Sequence, residues 1–143
     1  MRFMMLVIPK GYESAPPDAT KTLDTKRMEQ MMKYNESLQK AGVLLALDGL
    51  HPPSTGARVS YKGGKPSVKD GPFAEAKEVL GGYWMIQVKS REEAIEWAKR
   101  APMSDDEIIE VRRVQEMEDF SPEGQKVAKK FPEIKKRAAK SRK

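Results

Sequence analysis

The residues best suited to chemistry lie at the ends of predicted strands and in the turns beside them. His51 closes an apolar run, and Asp70 begins the turn Asp70-Gly71-Pro72-Phe73. An imidazole exchanges protons near neutral pH, and a neighbouring carboxylate fixes its tautomer and favours its charged form. His51 and Asp70 are therefore predicted as a catalytic acid/base pair. The alternative is that Asp70 only caps its turn and that His51 is an exposed loop residue beside two prolines.

Four further polar residues accompany this pair and are predicted to bind substrate. Arg58 starts a predicted hairpin, Glu75 and Lys77 follow the turn, and Asp48 ends a strand. Arg58 or Lys77 is expected to hold an anionic group of a small metabolite, because both side chains are positively charged at neutral pH. Asp48 is either a turn former or a carboxylate that faces a pocket.

Composition excludes most other catalytic chemistry. The chain has 143 residues, no cysteine and one histidine. The absence of cysteine rules out thiolate nucleophiles, disulfides and zinc fingers, and one histidine leaves little room for a metal site. The sequence also has no phosphate-binding glycine loop and no serine nucleophile elbow. We therefore predict chemistry without a metal or a cofactor.

The apolar runs and the charge distribution bear on location and partners. No run approaches the roughly 20 residues needed to cross a bilayer, so we predict a cytoplasmic protein with no membrane contact. The net charge is +6, yet residues 1–120 hold 18 basic and 19 acidic residues, and the basic excess lies in residues 121–143. Nucleic-acid binding is therefore unlikely, and it would involve this tail only, where no aromatic residue follows Phe131 to stack on bases.

Hydrophobic periodicity predicts the order β-α-β, a hairpin, then β-α-β, followed by a basic helical extension. This is an α+β, ferredoxin-like split βαβ plan with an inserted hairpin over residues 1–120. In the first helix, Met28, Met31 and Met32 are predicted to face the core. The predicted strands and helices cover residues 2–8, 21–40, 43–50, 57–61, 66–69, 82–88, 91–100 and 108–114.

A sheet of this plan carries helices on one face only. The predicted strands are near-continuous apolar runs, so the other face is also expected to be apolar. Leaving apolar surface in water costs about 25 cal/mol per Å². We therefore predict a homodimer whose two sheets pack face to face about a twofold axis.

The chain also resembles the DGPF-type branch of the YCII-related family over about residues 1–120. The resemblance implies a dimeric α+β barrel of ferredoxin-like subunits and a cleft with a His/Asp pair, onto which His51 and Asp70 are carried over. The segments that carry it are Asp70–Glu78, Gly81-Gly82-Tyr83 and Glu93-Ala94, together with Gly49–Ser54, Glu110-Val111-Arg112 and Glu116–Phe120.

This resemblance does not name a reaction. Members of the family are largely uncharacterised, some related domains occur near or fused to sigma-factor-like transcription proteins, and a shared fold does not identify a substrate. Two hypotheses follow. The first is a small metal-independent enzyme that acts on a small anionic metabolite. The second is a non-catalytic ligand-sensing or protein-binding regulatory module, associated with sigma factors.

Overall fold

Six strands and three α-helices lie in residues 1–74 and 76–134, which the computed structural model describes. Four strands form one antiparallel sheet in the order β2-β5-β1-β6, and β3 and β4 form a separate hairpin. This α+β arrangement is compatible with the predicted ferredoxin-like fold. The elements are β1 Arg2–Ile8, α1 Thr25–Lys40, β2 Leu44–Gly49, β3 Ala57–Lys62, β4 Lys65–Asp70, β5 Gly82–Gln87, α2 Arg91–Lys99, β6 Ile108–Arg113 and α3 Pro122–Lys129.

The hydrophobic core lies between the four-stranded sheet and helices α1 and α2. Alternate residues of β1 and β5 point toward the helices, as the pleat of a strand requires. Tyr34 of α1 packs edge-on against Trp84 with ring centroids 5.1 Å apart, and its hydroxyl donates to the Trp97 carbonyl at 2.7 Å. Burial raises the pKa of Tyr34 to about 12. The buried core residues are Phe3, Met5, Tyr34, Leu38, Trp84, Ile86, Val88 and Ala94.

Helix α1 begins later than the predicted start at residue 21. Residues Ala19–Thr22 form a separate 3₁₀ turn. The side chain of Asp24 then accepts a hydrogen bond from the Lys26 backbone N–H at 3.1 Å. A carboxylate at this position satisfies one of the unpaired donors of the first helical turn. The helix therefore starts at Thr25.

The predicted methionine stripe of α1 is wrong at two of its three positions. Met28 is 49% exposed and Met32 is 63% exposed, whereas Met31 packs against the core. The buried face passes through Tyr34 and Leu38 instead, which follow Met31 at spacings of three and four residues. That spacing keeps a helical face in line, and positions 28 and 32 both lie on the same side of it.

The turn Asp70-Gly71-Pro72-Phe73 joins the hairpin to the rest of the molecule. The Gly71 N–H donates to the Gly56 carbonyl at 2.9 Å. Phe73 is buried, and the Arg58 guanidinium lies 4.2 Å above the centroid of its ring. A Cβ atom added to Gly71 would lie 1.7 Å from the Pro53 carbonyl oxygen. The turn therefore contacts the chain at residues 53–56 backbone to backbone.

The face of the sheet opposite the helices has an apolar centre and a charged border. Met4, Leu6, Tyr83 and Met85 lie on this face and are partly buried. Charged side chains from both ends of the sheet border them, including the ion pair of Arg2 with Glu116 at 2.6 Å. The face is thus less uniformly apolar than predicted, because β6 alternates Ile and Val with charged residues. No helix in residues 1–74 and 76–134 is long and apolar enough to span a bilayer.

The contact at Gly71 gives a testable prediction for stability. Gly71→Ala should lower the free energy of unfolding by roughly 1–3 kcal/mol, because the new methyl group overlaps a backbone carbonyl that has no rotamer to move away. Urea denaturation followed by circular dichroism measures this. The matched control is Gly49→Ala, since a Cβ at Gly49 meets no atom within 4 Å. Equal stability of the two variants would contradict the prediction.

Candidate functional site

A cleft of about 510 Å³ opens where the ends of β1 and β2 meet α1 and the loop that follows β1. Its walls are mainly apolar, with Val7, Leu23, Met31 and Leu50 among them. A cavity of this size and character suits a small organic molecule. The side chains able to bind polar groups are Tyr12, Thr20, Arg27, His51 and Glu107.

Gly81, just before β5, determines where this cleft forms. Its N–H donates to the Val7 carbonyl at 2.8 Å, and its carbonyl accepts from the Leu50 N–H at 2.9 Å. A Cβ atom at Gly81 would lie 2.4 Å from the Pro9 ring. Any side chain here would therefore push the loop after β1 away from the sheet. The Tyr12 hydroxyl fixes the same loop by donating to the Leu50 carbonyl, and burial raises the pKa of Tyr12.

His51 lies at the rim of the cleft, directly after the end of β2, and is exposed to solvent. Its Nδ1 atom is 3.4 Å from the Thr20 hydroxyl, which is long for a hydrogen bond. Within the part of the chain that the structure describes, no carboxylate hydrogen-bonds to His51. The imidazole is therefore loosely held and accessible from the cleft.

Arg27 and Glu107 form an ion pair in the wall of the cleft. The Arg27 guanidinium bonds to the Glu107 carboxylate and donates to the Ser104 hydroxyl at 2.7 Å. The Glu107 side chain is only 7% exposed. Burial opposes its ionisation, but the hydrogen bonds from Arg27 and from Ser104 outweigh burial and lower the pKa of Glu107. The positive charge of Arg27 is thus matched by a buried negative charge.

Asp48 lines a smaller adjoining cleft of about 210 Å³. The two clefts share lining residues, including Gly49 and Gly81. The Tyr83 hydroxyl donates to Asp48 Oδ2 at 2.6 Å, and this hydrogen bond raises the pKa of Tyr83. Asp48 therefore holds the phenol of Tyr83, its partner in the pairing of β2 with β5.

The remaining predicted site residues lie elsewhere or outside the described residues. Asp70 ends β4 and is paired with Ala57 across the hairpin. Arg58 stacks on the buried Phe73 ring, and Lys77 is exposed on the segment after the turn. None of these three lines the cleft, and Glu75 lies outside the described residues.

The structure thus places His51 and Asp48 in adjoining clefts, and no hydrogen bond joins His51 to Asp70 in the described residues. A site shared by His51 and Asp70 stays a prediction. The sequence reasoning missed Arg27 and Glu107, which are 80 residues apart along the chain. Among residues 1–74 and 76–134, no cluster of three or more His, Asp or Glu side chains could hold a metal ion.

The fold and cleft define a small α+β domain with one imidazole at the mouth of a mainly apolar cavity. Residues 1–118 match the YCII-related domain, and the chain belongs to that family, as its motifs predicted. It is also similar to an uncharacterized protein of Rhizobium meliloti (strain 1021). The two are 32% identical over 87 residues, which cover 61% of this chain and 70% of the relative.

The Arg27–Glu107 pair makes stability depend on pH. The pKa of Glu107 is lower in the folded chain than the ordinary value of 4.5. Its ionised form therefore stabilises the fold fully above that value, and this stabilisation is lost as the pH falls through the folded-state pKa. Glu107→Gln should lower the free energy of unfolding by about 1–3 kcal/mol near pH 7, and the difference from wild type should narrow toward about pH 3.

Urea denaturation at several pH values measures this difference. Glu123→Gln, an exposed position in α3, is the control and should match wild type at each pH. If Glu107→Gln lowers the free energy of unfolding equally at acid and neutral pH, packing rather than charge accounts for the loss.

Proposed function

We propose that the chain is a small metal-independent enzyme in which His51 acts as general acid and base. The observation that carries this proposal is the exposed, loosely held imidazole at the rim of a cleft of about 510 Å³. A neutral imidazole accepts a proton from a bound molecule, and the imidazolium then returns it to another atom. Histidine suits this cycle near neutral pH better than any other side chain.

The substrate class follows from the walls of the cleft. Its apolar lining favours a small molecule with a hydrophobic body, and Arg27 is the cationic side chain that lines it. We therefore propose a small metabolite with a hydrophobic body. An anionic group on it stays a prediction, because Glu107 already pairs with Arg27. Arg58, Lys77, Glu75 and Asp48 stay predictions as substrate-binding residues.

Asp70 also stays a proposal, as the residue that orients His51. Its support is the connection between the two segments: the Gly71 N–H bonds to the Gly56 carbonyl, and Gly56 follows His51 by five residues. A small shift of the hairpin base relative to residues 51–56 would change the separation of the carboxylate and the imidazole.

Ligand screening followed by mutation tests the role of His51. Metabolites that raise the melting temperature of wild type are assayed for conversion to product by mass spectrometry. His51→Asn should retain the thermal shift and lose about 100-fold or more of the turnover, as expected on removal of a general acid/base. Lys126→Gln, an exposed change in α3 that does not line the cleft, is the control and should keep both. Full turnover in His51→Asn would refute the proposal.

In the same assay, Asp70→Asn tests whether Asp70 contributes to turnover in addition to His51. A loss of turnover with the thermal shift retained would support Asp70 as the partner of His51. Unchanged turnover would remove Asp70 from the site and leave the role of His51 intact.

A second candidate function is a non-catalytic regulatory module that is associated with sigma factors. Such a module binds a metabolite or a protein without turnover. The observation that favours it is that His51 lacks a carboxylate partner in the described residues, whereas catalytic imidazoles are commonly oriented by one. Compounds that raise the melting temperature of wild type and yield no product would favour this function over the enzyme.

We further propose that the chain belongs to the DGPF-type branch of its family, because Asp70–Phe73 form the turn that attaches the hairpin. On this proposal residues 1–120 form the domain and residues 121–143 form a basic extension, of which 135–143 lie outside the described residues. A cytoplasmic location, and no nucleic-acid binding other than at most through the extension, are the remaining expectations from sequence.

We also propose that two copies form a homodimeric barrel through the open face of the sheet. The apolar centre of that face, formed by Met4, Leu6 and Met85, supports this proposal. Burying it against its twofold-related copy would remove it from water, and the charged border would lie at the rim of the interface.

A charge introduced at the centre of this face tests the homodimer. Met85→Glu should convert a dimeric wild type to a monomer, because the interface would bury an unpaired carboxylate. Multi-angle light scattering after size exclusion measures the mass, and circular dichroism checks folding. Met32→Glu is the matched control, because Met32 is exposed on α1. A monomeric wild type, or a dimeric Met85→Glu variant, would exclude this interface.

A further inference from the structure

A second cavity, of about 410 Å³, lies between the loop after β1 and the turn that follows β4. It shares no lining residue with the cleft that contains His51. The Ser54 hydroxyl donates to the Ala15 carbonyl at 3.1 Å and joins the two walls. Pro16, Pro72 and Phe73 supply apolar surface, and Glu13 supplies the charged group. The Asp70–Phe73 turn thus builds a cavity that the proposed acid/base chemistry does not use.

The Glu13 carboxylate is unusual within this cavity. Its Oε2 atom is shielded from solvent and has no hydrogen-bond partner in the described part of the chain. A shielded acceptor without a donor destabilises the folded chain, and more so when it carries charge. Most buried polar groups in native proteins are satisfied, so an exception calls for a partner from outside the chain.

Among the described residues, the groups around Glu13 leave its shielded oxygen without a hydrogen-bond donor. The Ser14 hydroxyl donates to the Gly11 carbonyl at 3.1 Å, and the Ser54 hydroxyl is used by Ala15. The nearby guanidinium of Arg58 is held over the Phe73 ring, and it gives Glu13 no hydrogen bond among the described residues. The cavity therefore offers a negative charge and apolar walls, and its two hydroxyl protons are already engaged.

We propose that this cavity binds a small organic cation that carries a primary ammonium group and an apolar body. The ammonium donates to the Glu13 carboxylate, and the apolar body lies against Pro72 and Phe73. The carboxylate charge is delocalised over both oxygens, so a cation beside either oxygen compensates the shielded one. This site goes beyond the chemistry proposed for His51 and does not depend on it.

Benzylammonium is a suitable probe, because benzyl alcohol has the same ring without the charge. Titrations are followed by NMR through the backbone amides of Ser14, Ser54 and Ala74. Benzylammonium should bind wild type about tenfold more tightly than benzyl alcohol does, as expected for a charge-assisted hydrogen bond. Glu13→Gln should erase this preference, and the exposed control Glu123→Gln should keep it.

Two further measurements keep the test decisive. The melting temperature of Glu13→Gln should equal or exceed that of wild type, since the substitution removes a shielded charge without a partner. In wild type, nuclear Overhauser effects should connect the probe to the Phe73 ring, and this readout needs no variant to fold. Equal binding of the two probes, a preference retained in Glu13→Gln, or probe contacts elsewhere would each overturn the proposal.

Discussion

Close packing of neighbouring chain segments against two glycines is the constraint on which both cavities depend. At Gly81 a side chain would collide with Pro9, and at Gly71 it would collide with the Pro53 carbonyl. The first contact brings the loop after β1 against the end of β2 and closes the cleft that contains His51. The second brings the Asp70–Phe73 turn against residues 53–56 and closes the cavity that contains Glu13. Both contacts use backbone hydrogen bonds, which depend steeply on distance and angle.

The two cavities differ in how their charges are balanced. In the first, Glu107 is buried and bonded to Arg27, so burial of the carboxylate is offset by its partner. Removing either member would leave the other charge uncompensated. In the second, the shielded oxygen of Glu13 has no such partner in the described residues. The first arrangement stabilises the fold, whereas in the second a shielded carboxylate oxygen has no donor among the described residues.

Features that follow from local chemistry were predictable from the sequence. The apolar run before Pro9 predicted β1 at the observed bounds, Arg2–Ile8. The helix predicted over residues 91–100 begins at Arg91 as observed, where the Ser90 hydroxyl accepts from the Glu93 N–H at 3.1 Å. Each of these depends on residues within one turn of helix or one strand. The spacing of apolar residues likewise predicted the element order and therefore a ferredoxin-like plan.

Features that depend on distant residues were not predictable in this way. The buried face of α1 is selected by Tyr34, whose hydroxyl needs the Trp97 carbonyl, 63 residues away. The Arg27–Glu107 pair spans 80 residues, and nothing in either local sequence indicates the other. Likewise, Arg58 is recognisable as a cation, but its position over Phe73 depends on how the hairpin docks. The type of side chain at each candidate position could therefore be used for prediction. The residue that each side chain contacts could not be predicted.

The exposed hairpin formed by β3 and β4 also bears on the proposed homodimer. Every residue of β3 and β4 is exposed, including Tyr61 at 75% and Val68 at 68%. A two-stranded hairpin without a packed face is marginally stable in water. The contacts that attach it lie at its base, around Gly71 and Phe73. A second copy that contacts the hairpin would remove its apolar side chains from water, as the proposed homodimer does for the open face of the sheet.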